Sequence, residues 1–138
     1  MSGLPGAGKD YWLSRMRPEL PVVSLDAIRG QLGVDPSGPQ GRVVQAAREQ
    51  ARIHLRRQEP FAWNATNLSR QMRDRQVRLF SDYGARIRIV YVEPSRERLL
   101  DQNRDRSSPV PEAVIERLQR RWEVPKEDEA HAVEWVVA

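Results

Sequence analysis

Gly3-Leu4-Pro5-Gly6-Ala7-Gly8-Lys9-Asp10 is the stretch of this chain with the clearest chemistry. Its glycines let backbone N–H groups approach an anion, because no Cβ blocks them and positive φ is open to them. A lysine follows the last glycine, where its charge can reach the outer oxygens of a polyphosphate, and the helix predicted to begin there aims its free N–H groups at the same anion. That lysine is informative, since the chain holds 21 arginines and only one other lysine, Lys126. The spacing G-x-x-x-x-G-K is that of a phosphate-binding loop. A plain glycine-rich turn ahead of an amphipathic helix requires neither the spacing nor the lysine. Gly3, Leu4, Pro5, Gly6, Ala7, Gly8, Lys9 and Asp10 are thus the expected nucleotide-binding set. Asp10 stands where a Ser or Thr hydroxyl is usual. Its carboxylate can bind Mg²⁺ directly, act through water or cap the helix, which makes it the candidate metal residue.

A second constellation follows the predicted strand PVVSL, at Asp26 and Arg29. Three residues apart in a helical turn, both project from one side of the strand end. Open α/β sheets bind ligands at the carboxyl ends of their strands. There an acid can accept the proton of an attacking hydroxyl while an arginine grips an anionic group on the acceptor. The structural alternative is an N-capping Asp26 and a solvated Arg29.

The elements that must position these residues alternate β and α. KDYWLSRMR reads as a helix ended by Pro18, PVVSL as a strand, DAIRGQL as a short helix and GVDPSGPQG as a loop. Between Arg42 and Gln58 a long amphipathic helix is predicted with Val44, Ala47, Ala51 and Leu55 on its apolar face. FAWNA is a strand. Ser69 is the expected N-cap of a helix to about Tyr83 with Met72, Leu79, Phe80 and Tyr83 apolar, stopped by Gly84. RIRIVYVE is the clearest strand, Ser95 caps RERLLDQNRDR, SSPV is a break, PEAVIERLQRRW restarts a helix with Pro111 in its first turn, and HAVEWVVA is the last strand. The expected fold is therefore α/β, a P-loop type parallel sheet with helices on both faces. A phosphate loop normally leaves the end of a buried strand, yet only Met1 and Ser2 precede Gly3, so the first strand is expected to be missing here and to lie upstream in a longer protein.

At 138 residues, one domain is expected, and 39% hydrophobic against 30% charged residues is a globular composition with a lean core. No cysteine, signal peptide or apolar span is present, so a reducing cytoplasm is the expected location. Asn64-Ala65-Thr66 and Asn67-Leu68-Ser69 match a glycosylation pattern that has meaning only in a secreted chain. A net charge of +4 favours an anionic partner.

GLPGAGKD, SLDAIR, WNATNLSRQMR, VYVEPSRERLLDQNRDR and VPEAVIERLQRRWEVPKEDE together resemble the P-loop polynucleotide 5′-kinases of the bacteriophage polynucleotide kinase type. The discriminating pieces are D-x-x-R, A-T-N and N-x-x-R. The resemblance implies a kinase moving the γ-phosphoryl group of ATP or another nucleoside triphosphate, with Mg²⁺, onto 5′-hydroxyl ends of RNA or DNA, as in nucleic acid repair. Lys9, Asp26, Arg29 and Arg106 would then be catalytic. Asp26 would be the general base, Arg29 would bind the neighbouring phosphate of the polynucleotide, and Arg106, with Arg104 beside it, would contact the donor from a lid around 101–111. Similar proteins sometimes carry this kinase behind an HD phosphohydrolase. Asn64 stands where the family often has Asp, and Gln102 where the phage-type lid has another arginine. A small-metabolite kinase on the same scaffold and a nucleotide-binding module without turnover are the alternatives.

Arg70, Arg73, Arg75 and Arg78 share one helix and either track a nucleic-acid backbone or form a solvated face. Trp63 and Trp135, in predicted strands, are expected in the core, and Trp122 is the tryptophan suited to lie near adenine. His54 and His131 are isolated and expected to be structural.

Overall fold

The computed structural model describes residues 1–105 and 110–137. Among them the order is α1 (Lys9–Met16), β1 (Val22–Ser24), α2 (Leu25–Leu32), α3 (Gly41–Arg56), β2 (Ala62–Asn64), α4 (Arg70–Asp82), β3 (Arg88–Glu93), α5 (Arg96–Arg104), α6 (Glu112–Gln119), a 3₁₀ turn (Glu127–Glu129) and β4 (Ala132–Val137). β1 pairs with β2 and β3 with β4, both parallel. The α/β alternation and parallel pairing read from the sequence are both present.

The two strand pairs meet across Met1–Gly3. Ser2 bridges Tyr91 in parallel, its N–H donating to the Val90 carbonyl at 2.8 Å and its carbonyl accepting from the Val92 N–H at 2.9 Å. On the other side the Met1 amine donates to the Trp63 carbonyl at 2.8 Å and the Gly3 N–H to the Thr66 carbonyl at 2.9 Å. Met1–Gly3 thus lies between β2 and β3 and supplies a single rung where a strand was expected ahead of the loop.

Two apolar clusters form the core. One joins Leu4 and Ala7 of the glycine-rich loop to Val90, Val92, Leu99 and Ile115, and the other gathers Val23, Ile28, Trp63, Phe80 and the inner face of α3. That inner face is Val43, Ala47, Ala51 and Leu55, with Val43 in place of the expected Val44, which is half-buried. Ser69 caps α4 through its hydroxyl as expected, accepting from the Met72 N–H at 3.1 Å. Met72 itself is exposed, and the buried face of α4 carries Arg73, Leu79 and Phe80. Pro111 is the N-cap of α6 rather than a member of its first turn. α5 ends at Arg104, earlier than the RERLLDQNRDR reading, whose last residue, Arg106, lies with Ser107, Ser108 and Pro109 outside the described residues. Trp63 is core, but Trp135 is 44% exposed on β4, its indole N–H donating to the Pro125 carbonyl at 2.8 Å. β4 pairs with β3 and has several exposed residues, so a large side chain there need not be buried.

The arginine set on α4 divides. Arg73 is buried and makes a forked pair with Glu129, Nε to Oε1 at 2.7 Å and Nη2 to Oε2 at 3.3 Å, while Nη1 donates to the Asn67 carbonyl at 2.9 Å. It ties the 3₁₀ turn to α4 and is unavailable to a nucleic-acid backbone. Burial alone would raise the Glu129 carboxyl, but the Arg73 hydrogen bond, the Lys126 N–H and the charges of Arg73 and Arg70 hold it below its usual range. A depressed carboxyl contributes stability above its unfolded pKa and loses it as pH falls through its folded value. The melting temperature of the native chain is therefore expected to fall more steeply in acid than that of Glu129→Gln. At neutral pH, Glu129→Ala, which leaves the guanidinium buried and unpaired, is expected to cost about 3 kcal/mol in denaturant unfolding.

Candidate phosphate-binding site

The glycine-rich loop is shaped by what its glycines touch. At Gly3 (φ 154°) an added Cβ would lie 2.7 Å from the Val92 carbonyl oxygen, so the loop leaves the sheet with no room for a side chain. At Gly6 (φ 78°) it would lie 2.9 Å from Asn103 Cβ and 3.0 Å from both Asn103 N and Leu99 O. Gly8 (φ 98°) takes a left-handed turn into α1 with open space around it. Between the glycines, Leu4 and Ala7 are buried and anchor the loop in the core, and the Ala7 N–H closes a turn on the Leu4 carbonyl at 3.0 Å. Lys9 Nζ folds back over this turn, donating to the Gly3 carbonyl at 2.7 Å and the Leu4 carbonyl at 3.0 Å. The lysine thus sits at the loop's own mouth, beside the N-terminus of α1.

Asp10 lies in the first turn of α1 and accepts a short hydrogen bond from Asn64 Nδ2. Asn64 ends β2, where its Cα pairs with Ser24 at the end of β1. Its side-chain oxygen is buried and has no hydrogen-bond partner. α2 starts at the next residue after Ser24, and its cap is the Ser24 hydroxyl, which accepts from the Ala27 N–H at 3.2 Å. Asp26 is therefore not the N-cap. It stands in the first turn of α2 with its side chain 51% exposed, paired with Arg29 Nη1. Nor is Arg29 merely solvated: its Nε donates to Gln40 Oε1 at 2.7 Å, and Gln40 Nε2 is held by the Asp35 and Gly38 carbonyls at 2.8 and 2.7 Å. The acid and the arginine are fixed next to each other at the carboxyl end of β1, one strand over from Asn64 and the loop.

Among the described residues no group of three or more His, Cys, Asp or Glu side chains is placed to hold a metal ion. Asp10 with the unpartnered Asn64 oxygen suits an ion such as Mg²⁺, which takes one or two protein ligands and the rest from phosphates and water. Arg104 ends α5 and pairs with Asp101 at 3.6 Å, and Arg106 falls outside the described residues. His54 stacks on Phe61 and His131 accepts from the Ile87 N–H at 3.0 Å, both structural as expected. Trp122 lies 6.0 Å from the Tyr91 ring and, with Leu4, Val92 and Leu99, lines a cavity of about 240 Å³ beside the loop.

Asn103 received no role from the sequence, because an asparagine inside a polar helix end reads as solvated. It is 2% exposed. Its Nδ2 donates to the Val110 carbonyl at 2.6 Å and its Oδ1 accepts from the Val110 N–H at 2.9 Å, so one side chain of α5 holds Val110, just ahead of α6. The same residue is the surface on which Gly6 packs. Gly6→Ala must both strain the backbone and displace Asn103, whereas Gly8→Ala meets strain alone, about 1 kcal/mol. Thermal unfolding is expected to show the larger loss for Gly6→Ala, and equal losses would contradict this packing.

A family profile described as an AAA domain matches residues 1–125. A search of curated protein sequences returns no match. Among solved structures, the fold is similar to the crystal structure of a "putative kinase" from Chloroflexus aurantiacus J-10-fl, with a TM-score of 0.73 and 16% identity over 99% of this chain and 84% of that one. At this identity the likeness is one of fold. The family profile spans the glycine-rich loop, the D-x-x-R turn and the Asn103 clasp, and this chain belongs to that AAA-domain family, with a P-loop kinase-like α/β fold.

Proposed function

We propose that this chain is a P-loop phosphotransferase that moves the γ-phosphoryl group of ATP, with Mg²⁺, onto the 5′-hydroxyl end of a polynucleotide. The observation that carries the reading is the alignment of three parts along one sheet edge: the loop closed by Lys9, the Asp10–Asn64 contact, and the Asp26–Arg29 pair held by Gln40.

The loop and the first turn of α1 bind the β- and γ-phosphates through backbone N–H groups. Lys9 exchanges its loop carbonyls for phosphate oxygens, so its charge meets the negative charge that spreads over the γ-phosphoryl group in transit. Bound Mg²⁺ would neutralise the phosphate oxygens, with Asp10 and the Asn64 oxygen as its protein-side partners. Asp26 takes the proton of the 5′-hydroxyl as that oxygen bonds to the γ-phosphorus. The bond from the γ-phosphorus to the bridging oxygen breaks, and ADP leaves with the electron pair. Arg29 grips the phosphate next to the acceptor sugar. Positioning and charge stabilisation supply the rate.

Transfer of labelled phosphate from ATP to 5′-hydroxyl oligonucleotides tests this directly. Asp26→Ala is expected to lower turnover by ~10²–10⁴-fold with the fold intact by circular dichroism. Arg29→Ala is expected to weaken acceptors that carry a 3′-phosphate and to spare those that lack one. Unchanged transfer in Asp26→Ala defeats the base assignment. Loss of activity in Arg29→Ala irrespective of the acceptor's 3′-phosphate favours a small-metabolite acceptor, and absence of any transfer or ADP release by the native chain favours a binding module.

A further inference from the structure

The 33–40 segment joins α2 to α3 and folds into a turn braced from inside. Asp35 Oδ1 accepts from the Ser37 N–H at 2.8 Å and from the Ser37 hydroxyl at 2.6 Å, and the Gly38 N–H closes on the Asp35 carbonyl at 3.0 Å. Pro36 and Pro39 fix two more φ angles in the same stretch. Gln40 follows as the N-cap of α3, a place where Ser, Thr, Asp or Asn usually bonds the free N–H groups of the first turn. Its side chain makes no such bond. The amide is divided between two other tasks: Oε1 accepts from Arg29 Nε at 2.7 Å, and Nε2 donates to the Asp35 and Gly38 carbonyls at 2.8 and 2.7 Å. A guanidinium only donates and a carbonyl only accepts, so the group between them must accept at one end and donate twice at the other, which a primary amide does. α3 forgoes a side-chain cap for this contact, and a local rule broken in this way is characteristic of functional positions.

We propose that Gln40 is a positioning residue that holds the Arg29 guanidinium ready for the acceptor phosphate and decides which of its edges that phosphate meets; this rests on the reading of Arg29 as the acceptor grip. A guanidinium offers two forks, one between Nε and Nη2 and one between Nη1 and Nη2. Gln40 occupies Nε and so closes the first. Asp26 pairs with Nη1, and neither bond uses Nη2. A phosphate oxygen is therefore received at the Nη1–Nη2 end, which is the end beside the Asp26 carboxylate. The Arg29 side chain is only 19% exposed against 51% for Asp26, so the arginine is approached from the side of the acid. Asp35, Ser37 and Gly38 brace the carbonyls on which Gln40 leans, and the cost of ordering a long side chain is met before any ligand binds.

The test uses Gln40→Ser, which can supply the cap that Gln40 leaves unmade, and Gln40→Glu, which keeps an oxygen for Nε but gives the two turn carbonyls no donor. Proton exchange at the Arg29 Nε–H and the affinity for inorganic phosphate, both read from the Arg29 Nε signal in nitrogen-15 spectra, are measured beside transfer to 5′-hydroxyl oligonucleotides. In Gln40→Ser, exchange is expected to quicken at least tenfold and phosphate affinity to fall about tenfold, with a melting temperature within a few degrees of the native chain's. In Gln40→Glu, exchange is expected to stay slow. In transfer, Gln40→Ser is expected to raise the acceptor KM about tenfold and to change kcat far less, as for a binding interaction held equally in the ground and transition states. Unchanged exchange and phosphate affinity in Gln40→Ser overturn the proposal, and so does an Arg29 signal that does not respond to phosphate in the native chain. Exchange as fast in Gln40→Glu as in Gln40→Ser makes the turn, and not Arg29, the purpose of the amide and overturns it too. A fall in kcat at constant KM has the same consequence. Absence of transfer by the native chain, with exchange and phosphate binding as expected, sinks the kinase reading alone and leaves Gln40 holding an anion-binding arginine.

Discussion

The glycine-rich loop has to leave the sheet at a point where two strand pairs meet, and a short ladder holds it there. Ser2 bonds to Val90 and Val92 on one side, while Met1 and Gly3 bond to Trp63 and Thr66 on the other. Gly3 must then pass over the Val92 carbonyl with no side chain, which starts the loop in a direction that only glycine tolerates. Leu4 and Ala7 drop into the core from that start, and Lys9 closes over the Gly3 and Leu4 carbonyls at the mouth. The half of the site that carries Asp26, Arg29 and Asn64 belongs to β1 and β2, whereas Asn103, on α5, belongs to the side of β3. Their relation passes through the loop, so a displaced rung at Ser2 would misalign both at once.

Asp10 ties the first turn of α1 to the end of β2 through Asn64. A carboxylate beside bound phosphates is repulsive unless a cation intervenes, and Asn64 offers Asp10 only a neutral amide donor. An aspartate at position 64 would have set two carboxylates against each other at this short contact. Asn64 is thus compatible with Asp10 as it stands. At the Asp10–Asn64 contact the carboxylate is the one borne by α1.

How much of this was legible in the sequence follows from the range of each determinant. The loop, the caps at Ser69 and Ser95, the stop at Gly84 and the parallel α/β alternation depend on residues a few positions apart, and each was readable. Ser24 as the cap of α2 was hidden by Asp26, because two potential caps stand near each other and only the backbone decides between them. Arg73 and Trp135 were misplaced for long-range reasons. Arg73 is buried because Glu129 arrives from the far end of the chain, and Trp135 is exposed on a strand that shows many of its residues to the outside. Asn103 was invisible because its partner is a backbone amide, which leaves no trace in residue types.

The arginine bias yields to the same analysis. Arg17, Arg29, Arg52, Arg70, Arg78 and Arg104 each pair with a carboxylate close in sequence or on the surface, and Arg73 with a buried one. Exposed pairs of this kind are worth roughly 0–1 kcal/mol, so a phosphate can displace the carboxylate at little cost. Arg70, whose pair with Asp128 is 3.3 Å long with both side chains substantially exposed, is exchangeable in this sense. Arg73, with its side chain 2% exposed, is not. Net charge therefore overstates the anion-binding surface in one place and says nothing of its shape in another. Arg29 differs from the rest because Gln40 fixes its guanidinium from the side opposite Asp26, so it presents a charge whose direction is set before any ligand arrives. Preorganisation of that kind, and not the number of arginines, separates a binding group from a solvated one.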